Sequence, residues 1–216
     1  MTEFKKKPFI LRTGEKISPD LVEQIQNMNA DKPNFETYEK RIQEVFNLDP
    51  VIVTENKKIF LAGFIEGEGS ISISIKKNAG TRFGIELDPL FNITQSLNGV
   101  NQLQLAHSVF RTGRIRYKSG SDKTLVFIIE QRLSLQESVR PFLQRYVFPN
   151  SCYAKQIKFQ KFCQMLNLFD EGAHLDRERL AYELLPIWDE MRDQRSVRET
   201  FGSLEEAQDF VLTYTK

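Results

Sequence analysis

The sequence predicts an α+β fold in which a four-stranded antiparallel sheet carries helices on one face. Three observations lead there. The stretch Ser70 to Lys77 alternates strictly, with Ile71, Ile73 and Ile75 on one parity and Ser70, Ser72, Ser74 and Lys76 on the other. Helical-period stretches then interleave with strand pairs in the order helix, two strands, helix, two strands, helices. A hydrophobic content of 40% that includes 17 Phe supplies enough apolar bulk for a core beneath such a sheet.

The elements follow in order. Residues 1–50 read as a small helical region. Ser18-Pro19-Asp20 opens a helix with a capping side chain and a proline at the first position. Leu21, Ile25 and Met28 recur on its inner face, and Asp31-Lys32-Pro33-Asn34 breaks it. A second helix, near Phe35 to Phe46, stripes Tyr38, Ile42 and Phe46 before Asp49-Pro50. Thr54 caps a third helix that runs to about Gly67. After the alternating strand, Asn78-Ala79-Gly80 is a turn. A second strand covers about Phe83 to Gln95, interrupted around Asp88-Pro89, with Phe91 and Ile93 opposed to Asn92 and Thr94. Val100 to Phe110 is a helix with Leu103, Ala106 and Phe110 inward, stopped by Gly113. Arg114 to Lys118 is the third strand, Ser119 to Asp122 a hairpin turn, and Lys123 to Glu130 the fourth strand, with Leu125 through Ile129 largely buried. Helices then cover about Leu133 to Tyr146, Lys155 to Phe169, Asp176 to Arg192 (kinked or restarted at Pro186) and Ser203 to Tyr214, where Ser203 and Glu206 have capping-box spacing. The chain thus divides into an N-terminal helical extension, 1–50, a core, 51–170, and a C-terminal helical extension, 171–216.

Composition narrows the function classes. A net charge of +1 gives no global nucleic-acid footprint, so any basic surface is local. Cys152 and Cys163 have no Cys or His at zinc-ligand spacing and read as reduced, buried thiols. His107 and His174 are far apart and propose no metal site. The apolar runs fall well short of the ~20 residues that span a bilayer. The basic start, Met1 to Lys7, is not followed by an apolar signal core. A soluble chain of a reducing compartment, with no membrane partner, is the expectation.

The densest local signal is Leu61-Ala62-Gly63-Phe64-Ile65-Glu66-Gly67-Glu68-Gly69-Ser70. Gly63 and Gly67 are four apart and stack on one helix face beside Ala62. Each glycine inside a helix costs roughly 1 kcal/mol against alanine, so two together point to another backbone approaching closely. The run ends in two carboxylates, Glu66 and Glu68, at the negative end of the helix dipole, where a bound cation relieves the charge. A tightly packed core helix with surface carboxylates is the plain alternative.

This run resembles the signature of the LAGLIDADG homing endonucleases. Leu61, Ala62 and Gly63 are identical to it, Phe64 and Ile65 fit its apolar positions, Glu66 and Glu68 replace its aspartates, Gly67 replaces alanine and Gly69 is identical. The element order is that family's αββαββα core with a saddle-shaped sheet, so the resemblance extends over about residues 55–170, and the signature occurs once. The resemblance implies a homodimer in which helices pair along Leu61, Ala62, Gly63 and Gly67. It implies metal ligands at the Glu68 carboxylate and the Gly67 backbone carbonyl, with Glu66 orienting nearby groups. Mg²⁺ prefers few protein ligands, so one glutamate per chain suffices when two chains meet; Mn²⁺ or, without catalysis, Ca²⁺ are substitutes. Gln95 matches a family glutamine that positions water. A phosphate-stabilising lysine is carried over to Lys155 or Lys158, with Lys161 nearby. An arginine often found just after the glutamine is missing, with Ser96-Leu97-Asn98-Gly99 in its place.

The strands carry short hydrogen-bonding groups suited to a DNA groove: Ser70, Ser72, Ser74, Asn78, Asn92, Thr94 and Gln95. A merely solvated sheet face is the bland alternative. Charge is biased locally, because Arg111, Arg114, Arg116, Lys118 and Lys123 stand against Asp122 alone, and Arg114, Arg116 and Lys118 share one parity. The resemblance sets Ser72, Ser74, Lys76, Asn92, Thr94, Arg116 and Lys118 on base-facing positions, with Lys123 and Thr124 following at the hairpin. Trp188 reads as packing, and Arg192, Arg195 and Arg198 as either a solvated tail or contacts to flanking phosphates. The implied activity is site-specific cleavage of double-stranded DNA at a long pseudo-palindrome, leaving 3′ overhangs, by an intron-encoded enzyme of an algal chloroplast. The alternatives are a non-catalytic nucleic-acid binder on the same fold, an intron maturase or transcription factor, and an interaction protein whose helix merely dimerises.

Overall fold

A computed structural model describes residues 9–192 and 200–215. Arg195 and Arg198, and the basic start Met1 to Lys7, lie outside the described residues. Four strands form one antiparallel-paired sheet: β1 (Gly69–Lys77), β2 (Ile85–Ser96), β3 (Arg114–Tyr117) and β4 (Thr124–Ile129), in the order β1-β2-β4-β3. The mixed α+β class is the expected one. The chain forms two compact units that interleave in sequence: Met1–Ser70, Phe91–Ile129 and Glu137–Pro149 make the first, and Ile71–Leu90, Glu130–Gln136 and Asn150–Lys216 the second.

The first unit holds α1 (Pro19–Met28), α2 (Phe35–Val45), α3 (Glu55–Glu68) and α4 (Val100–Phe110). Ser18, Asn34 and Thr54 each cap the helix that follows by accepting from a backbone N–H of its first turn. The core gathers Leu61, Ile93, Leu103, Phe110, Ile115, Leu125 and Phe127, all buried. The signature helix α3 packs on α4 and on the helical turn Leu143–Val147. Tyr146 reaches from that turn to donate to Glu55 at 2.8 Å, fixing the start of α3.

The second unit is mostly helical. The helix Tyr153–Asp170 buries Phe159, Phe162, Met165 and Leu166, and the final helix Leu204–Thr213 buries Ala207 and Val211. Ser203 caps that last helix at Glu206 N, while the Glu206 carboxylate reaches back to Gly202 N–H, one residue earlier than a regular capping box. Arg177 closes its other end, donating to the carbonyls of Val211, Leu212 and Tyr214.

Both sheet edges are covered by the helical extensions. At β3, the outward N–H of Ile115 donates to the Tyr38 hydroxyl (2.8 Å), and its carbonyl accepts from the Asn29 amide (2.9 Å). At β1, the Ile75 carbonyl accepts from the Thr200 hydroxyl (3.0 Å). Such bonds blunt each edge against pairing with a foreign strand.

Several expectations need correction. β2 runs unbroken through Asp88-Pro89, its buried and half-exposed residues alternating in phase. Its ladder to β4 begins only at Phe91, so the N–H missing at Pro89 costs no bond on that side. In β4 the central apolar run is not buried throughout: Leu125, Phe127 and Ile129 are buried, whereas Val126 and Ile128 take the other parity. Left-handed Arg111 (φ 54°), rather than Gly113, ends α4. The segment expected as one helix over 133–146 is helical from 132 to 150 but includes two wide π-type turns, Leu135–Val139 and Leu143–Val147. Pro141, which cannot donate within a helix, lies between them. A third such turn, Leu180–Leu184, precedes Pro186. Cys163 is buried, but Cys152 is exposed at the start of its helix.

Candidate metal centre and nucleic-acid interface

Helix α3 has two unlike faces. Leu61 and Ala62 are 0% and 5% exposed and belong to the first unit's own core. The expected contribution of their side chains to a dimer face is therefore corrected, since both are already spent. Among the described residues nothing covers the opposite face: Gly63 and Gly67 are exposed, and a Cβ on either would meet nothing within 4 Å. Phe60 (54% exposed) and Ile59 (59% exposed) continue that face toward the start of the helix. An apolar, bulk-free and uncovered helix face is costly in water, and a second backbone can approach it closely.

The face ends at Glu68, an exposed residue, with half-buried Glu66 one turn-edge before it. The chain then turns directly into β1. Gly69 is extended (φ −81°, ψ 143°), so it is not required for a left-handed cap. It is required for space, because a Cβ there would lie 2.6 Å from the Ile65 carbonyl oxygen and 2.7 Å from Ile65 Cγ2. Its N–H bonds to that carbonyl, which leaves the later carbonyls of the turn, Gly67 among them, beyond the reach of any intrahelical N–H. One carboxylate and one helix-end carbonyl are hard oxygen donors of the kind Mg²⁺ accepts alongside water and phosphate. Among the described residues no cluster of three or more His, Cys, Asp or Glu makes a complete cage. The donor set thus fits a divalent cation completed by substrate.

Gln95 pairs with Leu125, one step before the β2–β4 ladder ends at Ser96 and Thr124. Its Oε1 accepts from Ser96 N–H at 2.7 Å, and its side chain lies over Gly99, where a Cβ would come within 2.4 Å of Gln95 Cγ. The segment standing in place of the missing arginine is tied elsewhere: Asn98 exchanges two hydrogen bonds with the Leu11 backbone, at 2.7 and 2.9 Å.

In the first unit the open face of the sheet is ordered in cross-strand rows. Asn92, Ile128 and Arg114 form one, and Thr94, Val126 and Arg116 the next. Ser96 pairs with Thr124, whose carbonyl accepts from Lys118 N–H at 3.0 Å. Lys118 and Lys123 flank the strands rather than lie in them. Asp122 is neutralised by Lys16 at 2.9 Å, an exposed pair of small energetic worth that still cancels the one acid in the stretch. Arg111 is drawn away from the face by Glu36 (3.4 Å) and the Phe35 ring (4.1 Å).

The second unit carries Ser72, Ser74, Lys76 and Asn78. Ser74 is exposed and Ser72 half-buried. Lys76, expected as a base-facing cation, is bound to Asp88 (2.9 Å) and Glu86 (3.2 Å). Asn78 donates to Glu86 at 2.7 Å and accepts from Gly80 N–H, so it works as a turn residue. The Asn78 amide above all, with Lys76 behind it, holds the Glu86 carboxyl below the usual range, and Asp88 foremost holds the Lys76 ammonium above its own. Glu86 and Asp88 were missed at the sequence level. Alternation carried straight through Pro89 puts them on the polar parity of β2.

Lys155 and Lys158 lie in the helix Tyr153–Asp170 of the second unit, three apart and half-buried. Lys161, expected nearby, pairs with Glu190 at 2.5 Å. Arg192 is corrected as a solvated residue: it pairs with Asp189 and covers the ring of buried Trp188 at 4.6 Å.

Comparison with known proteins adds to this geometry. A family model described as LAGLIDADG endonuclease matches residues 61–166. DNA endonuclease I-CeuI of Chlamydomonas moewusii is 47% identical over 212 residues, covering 96% of this chain and 97% of its own length. Homing endonuclease I-ApeII of Aeropyrum pernix is 31% identical over 86 residues, 40% of this chain and 50% of its own. Among solved structures, the group I intron-encoded homing endonuclease I-CeuI complexed with DNA has a TM-score of 0.90 at 46% identity, covering 94% of this chain and 100% of that one. The archaeal intron-encoded homing endonuclease I-Vdi141I complexed with DNA has a TM-score of 0.63 at 28% identity, covering 73% and 95%.

Proposed function

The chain belongs to the LAGLIDADG endonuclease family, and we propose that it is a homodimeric, site-specific endonuclease of double-stranded DNA. Its target is a long pseudo-palindrome, each subunit reading one half, and the cuts leave 3′ overhangs. One observation carries this reading: an uncovered glycine face on α3 that ends in the exposed carboxylate of Glu68. The full-length relatedness to I-CeuI, solved as an intron-encoded enzyme on DNA, supports both the substrate and the intron origin. Residence in an algal organelle, the chloroplast, is proposed with it.

Two α3 helices meeting along Gly63 and Gly67 bring two Glu68 carboxylates together, and such like charges repel strongly in a low dielectric. Glu68 and the Gly67 carbonyl would hold Mg²⁺ there, with Mn²⁺ as a substitute and Ca²⁺ as a non-catalytic one. When bound, the ion would supply an activated water and charge stabilisation at phosphorus. Gln95, with Oε1 engaged by Ser96, offers Nε2 to orient water. Lys155 and Lys158 are the cations proposed for the phosphate. Asn92, Thr94, Arg114, Arg116, Lys118, Lys123, Thr124, Ser70, Ser72 and Ser74 line the surface proposed for the duplex, with Lys76 and Asn78 acting through their acidic partners.

Incubation of a randomised DNA library with the protein and Mg²⁺ tests this directly. Recovery of fragments with uniform 3′ overhangs at a two-fold-related sequence is expected. Retention of DNA without cleavage, in Mg²⁺ and in Mn²⁺ alike, would instead identify a non-catalytic binder.

A further inference from the structure

The N-terminal helical pair does more than cover an edge. The end of α1 is a cluster of exposed carbonyls at the negative pole of a helix, and three side chains converge on it. Arg41 donates to the carbonyls of Met28 (3.2 Å) and Ala30 (3.1 Å). Asn29 donates its amide both to the Ile25 carbonyl (2.7 Å) and across to the Ile115 carbonyl of β3 (2.9 Å). Arg114, the first residue of β3, donates Nη1 to the Asn29 carbonyl at 3.0 Å and lies 5.7 Å from the centre of the Tyr38 ring. Tyr38 is 2% exposed, and its hydroxyl both accepts from Ile115 N–H and donates to Asn29 Oδ1 at 3.1 Å. Burial pushes that phenol up to about 12, so the hydroxyl keeps its proton and its donor role.

We propose that Asn29 and Tyr38 are positioning residues that preset Arg114 as a base reader, which makes the N-terminal extension part of the enzyme's specificity. A guanidinium has two donor edges. Fixing Nη1 on the Asn29 carbonyl and the ring plane against Tyr38 spends the end-on edge. It leaves the Nε–Nη2 edge with no bond to any described residue, in the row of Asn92 and Ile128. Such an edge matches the O6 and N7 acceptors of guanine in a major groove. An arginine otherwise loses much rotamer freedom on binding, and two anchors remove that cost in advance. The inference rests on the DNA-cleaving function proposed above.

The test is a cleavage profile over a target set with every position of one half-site varied, for the natural protein, Arg114→Ala, Asn29→Ala, Tyr38→Phe and Asn29→Ala with Arg114→Ala. Thermal melting sets a temperature at which every variant is folded. Arg114→Ala is expected to lose about tenfold discrimination at one guanine-containing pair. Asn29→Ala frees the end of α1 from the Ile115 carbonyl and so loosens the backbone carbonyl that holds Nη1, and Tyr38→Phe removes the hydroxyl that ties Ile115 N–H and Asn29 Oδ1 together. Both are expected to lose discrimination at that same pair and no other, and Asn29→Ala to add nothing once Arg114 is gone. Equal slowing on all targets, or relaxation at a different pair, would overturn the positioning role. Loss of affinity without base preference in Arg114→Ala would make Arg114 a phosphate contact and overturn the reader assignment. If the natural protein neither binds nor cuts DNA, the underlying function fails first and is recognised as such.

Discussion

Strand β2 passes from one compact unit to the other between Leu90 and Phe91, and its polar parity changes character there. Before that point it shows Glu86 and Asp88, both bound to Lys76. After it come Asn92, Thr94 and Ser96, whose rows lead across β4 to Arg114 and Arg116. On the proposed function the two halves would therefore meet a polyanion differently. The first carries two carboxylates against one ammonium, a local excess of acid that disfavours phosphate and would accept from donors such as the cytosine amino group. The second would attract phosphate and offer donors to guanine. With a net charge of +1 over the whole chain, affinity has to come from such local imbalance.

Removing the proposed metal ligand should give the largest effect. Glu68→Gln is expected to lower the cleavage rate by about three orders of magnitude while DNA affinity in Ca²⁺ stays within a few-fold; unaltered single-turnover cutting would remove Glu68 from the metal centre. Next comes the pairing of two copies. Gly63→Leu fills an open face rather than a core, so the chain should fold normally but dissociate, its dimer constant weakening about a hundredfold by sedimentation. A variant that remains dimeric at nanomolar concentration contradicts the helix pairing.

The arginine-bearing half also stands on a titratable floor. His107 is buried between the rings of Phe35 (5.0 Å) and Tyr38 (5.1 Å), with Phe127 beyond. Burial lowers its pKa from 6.5 to about 4; the backbone of Thr112, Gly113 and Phe35 pulls weakly the other way, short of full hydrogen bonds. The folded pKa lies below the unfolded one, so between pH 6.5 and 4 the unfolded chain binds a proton that the folded chain refuses. Stability present above pH 6.5 should fall with pH across that window by at most about 3 kcal/mol. Urea titrations should show the slope, and His107→Phe should flatten it. Smaller still, Arg116→Ala is expected to weaken DNA binding about tenfold and reduce the salt slope by about one. The pair Glu86→Gln with Asp88→Asn should strengthen binding roughly threefold at low salt while relaxing base preference. The same sign from both changes would erase the contrast between the halves.

Much of this was legible in the sequence because it is local. Ser18, Asn34 and Thr54 announce helix starts, and the alternation of Ile71, Ile73 and Ile75 announces β1. The signature run fixes Glu68 at a helix end because a glycine must follow where the backbone turns against Ile65. Pro89 misled the reading of β2 because proline's cost depends on whether a partner strand needs its N–H, which is a tertiary fact. For the same reason Lys76 could not be known as neutralised: its partners are ten and twelve residues away, brought close only by strand pairing. Leu61 and Ala62 share the signature with Gly63, yet only the packing of α3 on α4 and on Leu143–Val147 sends two of these residues inward and leaves the third bare. Composition and periodicity determined the elements and the chemistry each can carry. Which faces are already spent on the chain's own core, and which charges remain for a duplex, depends on distances between residues far apart in sequence, and those exist only once the chain has folded.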